Sequence, residues 1–206
     1  MNFAKMIAAY CMAGAVALGL GLAHGAEART TVVLETELGT IEIEVFEQAA
    51  PLSSGSFLTF VEAGLLDGGF FYRTVSPAND HGEPTISVIQ GGLPEGGDRP
   101  GPVAHESTEM TGIRHEDGIV SLARAEVGTA SGAAFFICIG DQPGLDYGGM
   151  RNTDGQGFAA FGRVVAGMDV VHAIHRREAK GPSESPYTEG QMLTDPVKIL
   201  AARKTP

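Results

Sequence analysis

Arg73 sits in FFYRTV, a run of large apolar residues carrying one guanidinium. Side chains alternate along a strand, so strict alternation puts Arg73 on one face with Phe71 and Val75, and Phe70, Tyr72 and Thr74 on the other. Two readings follow. Either the charge stands in water with its stem laid over apolar neighbours, or a permanently charged donor is held at an apolar surface for a purpose. Other reactive groups offer less. His172 and His175 have the three-residue spacing of a metal-binding pair, yet no further ligand lies at a suitable distance along the chain. None of His81, His105 and His115 stands with a serine or cysteine in a recognisable motif, and the acidic loop holding Asp146 and Asp154 lacks calcium-loop spacing. No metal and no cofactor are expected.

The bulk composition narrows the field. A formal charge of −11 disfavours nucleic acid, whose phosphates need basic patches, and disfavours a polybasic membrane-surface role for the same reason. The hydrophobic fraction of 43% in 206 residues suits one globular domain, and 29 glycines with 11 prolines favour a β-rich, loop-rich fold. Residues 6–23 form an apolar stretch without charge, preceded by Lys5 and followed by Ala26-Glu27-Ala28, which has the form of a signal-peptide cleavage site. Residues 1–28 therefore read as a secretory signal and 29–206 as a single exported domain, periplasmic and free of stable membrane insertion once cleaved. Removing the signal leaves Cys138 as the one cysteine, so no internal disulfide forms, and its apolar run AAFFICIG predicts a buried thiol.

The elements that must position Arg73 follow from periodicity. TTVVLETELGTIEIEVF alternates as two strands around a turn at Leu38-Gly39. Residues 50–64 predict a helix, with Pro51 in its first turn and Phe57, Val61 and Leu65 at four-residue spacing. FFYRTV is the third strand. SPANDHGEPT is a polar loop, TISVIQGG a short strand, and residues 93–118 an irregular excursion. GIVSLAR, AAFFICIG, FAAFGRVV and DPVKILAARK are further strands, with a short helix in GMDVVHAIHRR. About eight antiparallel strands and two helices predict a mainly β fold, a closed barrel with the helices over its ends.

In order along residues 32–200, these blocks resemble the cyclophilin family. The match is carried by the Ala-Pro helix followed by F-x-R in APLSSGSFLTFVEAGLLDGGFFYRTV, then by ISVIQGG, GIVSLARA, SGAAFFICIG and FAAFGRVVAGMDVV. The resemblance implies an eight-stranded barrel with two capping helices and peptidyl-prolyl cis/trans isomerase activity. Peptide-bond rotation meets a barrier of ~18–20 kcal/mol, because the nitrogen lone pair is delocalised into the carbonyl. No covalent bond has to break. A catalyst must hold the proline ring and favour the twisted amide over both planar forms. A twisted nitrogen regains its lone pair, so a fixed charged donor stabilises it by roughly 3–4 kcal/mol.

Carried over by position, Arg73 matches the family's catalytic arginine and Gln90 its supporting glutamine. Phe136 matches a wall of the proline pocket, Val88 and Leu145 match apolar wall positions, and Ala123 and Arg124 match the Ala-Asn pair whose backbone binds the peptide. Departures accompany the match. Ser87 stands where a pocket Phe is usual, Arg124 replaces the Asn, and Ala134 replaces a peptide-binding glutamine. Gly144 occupies the place of a Trp that recognises cyclosporin, and Phe158 that of a rim His. The partners implied are Pro-containing polypeptides, and the protein is expected to be a monomer. The altered pocket leaves open a non-catalytic module that only binds such segments, while a lipocalin-like carrier conflicts with the packed strand interiors.

Overall fold

The computed structural model describes residues 30–93, 99–124 and 126–205. The proposed signal segment and its cleavage site lie outside the described residues. Strands β1 (Thr30–Thr36) and β2 (Gly39–Val45) form a hairpin, and helix α1 (Pro51–Glu62) follows. Next come β3 (Phe70–Val75), β4 (Val88–Gly92), the two-residue β5 (Val103–Ala104) and the one-turn helix α2 (Thr108–Thr111). The chain continues through β6 (Ile119–Leu122), β7 (Thr129–Ala130), β8 (Ala134–Cys138), β9 (Ala159–Ala166), helix α3 (Met168–His175) and β10 (Met192–Thr205). Eight strands close a barrel in the order β1-β10-β3-β4-β8-β6-β9-β2, all neighbours antiparallel, while β5 and β7 pair separately.

The expected barrel is present, with one helix more than the two expected. α2 lies within the stretch read as irregular. Ser107 caps its start by accepting from the Met110 amide, and Gly112 ends it in the left-handed region at φ 73°, so a start and a stop signal were both in the sequence. Four residues give no helical period, which is why periodicity passed over it.

The barrel interior is filled from all sides and plugged at its ends. Leu34, Ile41, Ile43, Phe71, Ile89, Phe135 and Phe161 are fully buried in one cluster with α1 and α3. From α1, the Phe57 ring meets Phe135 edge-on at 5.5 Å between centroids and Phe161 at 4.8 Å. From α3, Val170, Val171 and Ile174 pack inward, as the sequence predicts. No side chain at Ala50 caps α1. Instead the buried Glu106 carboxylate accepts from the amides of Leu52 and Ser53 and from the Ser53 hydroxyl, at 2.7–3.2 Å. That satisfies otherwise orphaned helix donors with a negative group at the positive end of the dipole.

One register slip departs from strict alternation. Phe71 pairs with Gly91 and Arg73 with Gln90, so Tyr72 is an extra residue in β3. Adjacent residues of β4 point to opposite faces, so their partners Phe71 and Arg73 do too. Phe71 goes into the barrel, and Arg73 comes out on the outer face with Val75, not with Phe71 as alternation predicts. The bulge is invisible in FFYRTV because every residue there but Arg73 is a good strand former.

Candidate active site

The outer face of four strands carries the site in two rows. Cross-strand pairing lines up Arg73, Gln90, Phe136 and Ser121 on β3, β4, β8 and β6, and beside them Val75, Val88 and Cys138. Directly opposed residues share a face, so these rows form one continuous surface. Loops wall it into a cavity of about 330 Å³. All eight positions named from the sequence line it: Arg73, Gln90, Val88 and Phe136 from the strands, Ala123 and Arg124 just past β6, and Leu145 and Phe158 from the loop before β9.

The floor is apolar. Phe136, Val88, Leu145, Val75, Ile86 and Cys138 form a buried cluster distinct from the barrel core, with Phe158 packed against it. The Phe158 ring stands edge-on to Phe136 at 5.2 Å. Behind Phe136, the His115 ring stacks at 5.9 Å. His115 in turn lies between Asp146, at 2.8 Å from Nδ1, and the Ser121 hydroxyl, at 3.1 Å from Nε2. A Ser-His-Asp arrangement therefore exists where no sequence motif announces it. Ser121 is 0% exposed, so no substrate reaches its Oγ, and the trio acts as a backing for Phe136. Cys138 is buried, and burial pushes its thiol well up, matching the structural role read from its apolar run.

Arg73 is gripped from two sides. Its Nη1 donates to Gln90 Oε1 at 2.9 Å, while Nε and Nη2 both donate to Gln191 Oε1 at 2.9 and 2.5 Å. Gln90 is fixed in turn by donating to the Tyr72 hydroxyl at 3.1 Å. Burial draws the Arg73 guanidinium below the ordinary arginine value, against the opposing pull of Tyr187 and Tyr72. At neutral pH it stays charged. Tyr187 covers Arg73 with its ring, 5.6 Å from the guanidinium carbon.

Sequence reading missed Gln191, Tyr187 and Arg151. Arg151 and Tyr187 line the cavity beside Ile86, Val127, Asn152 and Asp154. Arg151 makes two short bonds to Asp80, at 2.6 and 2.7 Å, with side-chain exposures of 2% and 0%. These residues come from the loops at 76–85, 146–157 and 182–191, whose polar composition signals only that they are loops. Arg124 turns away from solvent: Nη2 donates to both carboxylate oxygens of Asp154 at 2.8 and 2.7 Å, and its guanidinium lies over Phe158 at 5.7 Å.

A model of the cyclophilin-type peptidyl-prolyl cis-trans isomerase family matches residues 31–203. The chain belongs to this family. It is 31% identical over 185 residues to peptidyl-prolyl cis-trans isomerase A of Dickeya dadantii, covering 88% of this chain and 87% of that one. With a peptidyl-prolyl cis-trans isomerase of Acinetobacter baylyi it shares 29% over 186 residues, 90% of each chain. The solved cyclophilin-type isomerase of Cryptosporidium parvum has the same fold, with a TM-score of 0.63 at 19% identity over 86% of this chain and 98% of that one.

Against the cyclophilin pattern, the departures find physical reasons. Ser87 does not stand in the cavity. Its hydroxyl lies 3.2 Å from His175 Nε2, which also bonds the Val75 carbonyl, and Ile86 lines the cavity instead. His175 is thereby committed to the fold, and among the described residues no group of three His, Cys, Asp or Glu is placed to hold a metal. At Gly144, a Cβ would meet the Pro84 ring at 2.5 Å, so the 76–85 loop occupies the place of the family's Trp.

Asp80 ties that loop down. Burial alone would raise its carboxyl, but Arg151 and the amides of Ile86 and Gly82 hold it below the usual carboxylate range. Asp146 behaves alike: burial opposes, and His115 and Arg114 prevail. Both folded-state values lie below the unfolded one, so their contribution is present above the ordinary carboxylate value, about 4. It is lost as pH falls through the folded values. Asp80→Ala is expected to cost about 3–5 kcal/mol at pH 7, because it strands a buried guanidinium. Its unfolding free energy should also fall less than that of wild type on acidification. Denaturant titrations across pH check both; equal stability at pH 7 contradicts the assignment.

Proposed function

We propose that the protein accelerates cis/trans rotation about Xaa–Pro bonds in polypeptides that fold outside the cytoplasm. The observation that carries this is the pairing of an apolar notch with Arg73 at its edge. The notch, of Phe136, Val88 and Leu145, is suited to the proline ring. Arg73 is charged, partly desolvated and bonded to amide oxygens rather than to an acid. In such a setting a donor aimed at the amide stabilises the twisted nitrogen more than either planar form, without nucleophile, metal or cofactor. Gln90 orients Arg73, and Phe136 seats the ring. Ala123 and Arg124 flank the peptide path, with Arg124 held back by Asp154. The protein acts as a monomer on this reading.

Export is supported by the uncharged apolar stretch 6–23 and the small-residue site at 26–28. Among the described residues no helix is long and apolar enough to cross a membrane. On this basis we assign the mature protein to the periplasm. Intact-mass measurement of exported material is expected to give a chain starting just after residue 25 or 28, and a retained leader contradicts cleavage at either place.

One observation favours a second reading, a barrel that holds Pro-containing segments without turning them over: Ala134 stands where the family has a peptide-binding glutamine. A protease-coupled peptide assay at low temperature separates the two. Arg73→Ala is expected to lower kcat/KM by about 10²–10³ while leaving the fold intact by circular dichroism. A wild type that binds the peptide without turnover supports the second reading, and an Arg73→Ala variant as active as wild type contradicts the first.

A further inference from the structure

Arginine offers five N–H donors. Three of Arg73's are committed: one from Nη1 to Gln90, and one each from Nε and Nη2 to Gln191. Beyond these bonds the guanidinium also meets the Tyr187 side chain. The acceptors of those three bonds are uncharged amide oxygens. The buried acid–base pair Asp80 with Arg151 is closed on itself, and the Tyr187 ring lies 5.6 Å from both guanidinium carbons. Tyr187 is oriented by accepting from Arg151 Nη2 at 2.8 Å.

Gln191 is fully buried and fixed at every polar group. Its Nε2 donates to the Asn79 carbonyl at 2.8 Å, its own carbonyl accepts from the Thr74 amide at 2.9 Å, and its amide donates to Thr188. Asn79 in turn donates to the carbonyls of Thr74 and Gly190. The loops 76–85 and 182–191 are thus cross-linked around one glutamine, whose Oε1 accepts from Arg73.

We propose that Gln191 is the positioning residue for Arg73, a neutral clamp that fixes the guanidinium plane from its Nε edge while leaving its charge uncancelled toward the proline cavity. A carboxylate in that place would still accept from Arg73, though it would lose the bond to the Asn79 carbonyl, and it would neutralise much of the field the twisted amide needs, since opposite charges at hydrogen-bond distance interact strongly away from bulk water. Neutral oxygens give orientation without that loss.

This rests on the isomerase reading, and the experiment tells the two apart. Wild type, Gln191→Met and Gln191→Glu are compared by steady-state isomerisation and by ¹⁵N NMR of the Arg73 Nε–H exchange rate. Gln191→Met keeps length and removes the acceptor; it is expected to lose Nε–H protection and to lower kcat about tenfold, with KM changed less than about twofold. Gln191→Glu is expected to keep Nε–H protected and still lower kcat about tenfold or more. If Gln191→Glu does not fold, Gln90→Glu makes the same charge test, because the Tyr72 hydroxyl can turn to donate to the new carboxylate. The proposal is overturned if a folded glutamate variant keeps the wild-type kcat, or if Nε–H exchanges as fast in wild type as in Gln191→Met. Should the wild type show no isomerisation at all, the isomerase reading fails, and the exchange comparison alone decides the clamp.

Discussion

The extra residue at Tyr72 governs where the chemistry of this barrel lies. Without it, Arg73 would follow Phe71 into a core that is closed by Phe57, Phe135 and Phe161, where an unpaired guanidinium has no place. With it, β3 serves two faces within three residues: Phe71 completes the interior, and Arg73 joins Gln90 and Phe136 on the outer wall. Gly91 shows how tight the exchange is. A Cβ there would sit 2.8 Å from the Phe71 ring, so the glycine after Gln90 makes room for the residue the bulge sends inward. The two glycines that look like turn punctuation in VIQGG are in part a packing requirement of β3.

On the proposed reading, the guanidinium once outside has to be held without being neutralised. Its burial is partial, and its partners are Gln90, Gln191 and the faces or hydroxyls of tyrosines. Acidic residues are plentiful in a chain of net charge −11, yet those near the cavity are bound elsewhere: Asp80 to Arg151, Asp154 to Arg124, Asp146 to His115. The loops thus do two jobs with the same residues, walling the cavity and tying up carboxylates beside it. The apolar floor completes the arrangement from below, with His115 holding Phe136 in place.

Much of this was legible in the sequence. Strong period-two and period-four patterns located the barrel strands and both main helices, because burying one face is what those periods record. Arg73 stood out by its type alone, but its role and the other seven cavity residues were found only through the family resemblance, since Phe136 or Leu145 alone reads as core. Three things escaped for physical reasons. The Tyr72 bulge changes pairing without changing composition. The α2 turn is too short to show a period. Gln191, Tyr187, Arg151 and Asp80 lie in loops whose conformation is set by contacts across 36 to 118 positions of chain, and no local pattern encodes those. His115 is the instructive case: six residues from Ser121 and 31 from Asp146, it formed no motif, yet the register of β6 and the turn at Leu145 bring all three together.

The central claim is that Arg73, turned outward by the bulge, addresses the amide of a proline seated on Phe136. A crystal structure of the complex with a short Xaa-Pro peptide tests this most directly. The account predicts the pyrrolidine ring against Phe136, Val88 and Leu145, with a guanidinium N–H of Arg73 within about 3.5 Å of the prolyl amide. Gln90 and Gln191 would remain on their present bonds. A ring seated elsewhere, or Arg73 swung away onto an acidic side chain, would contradict it.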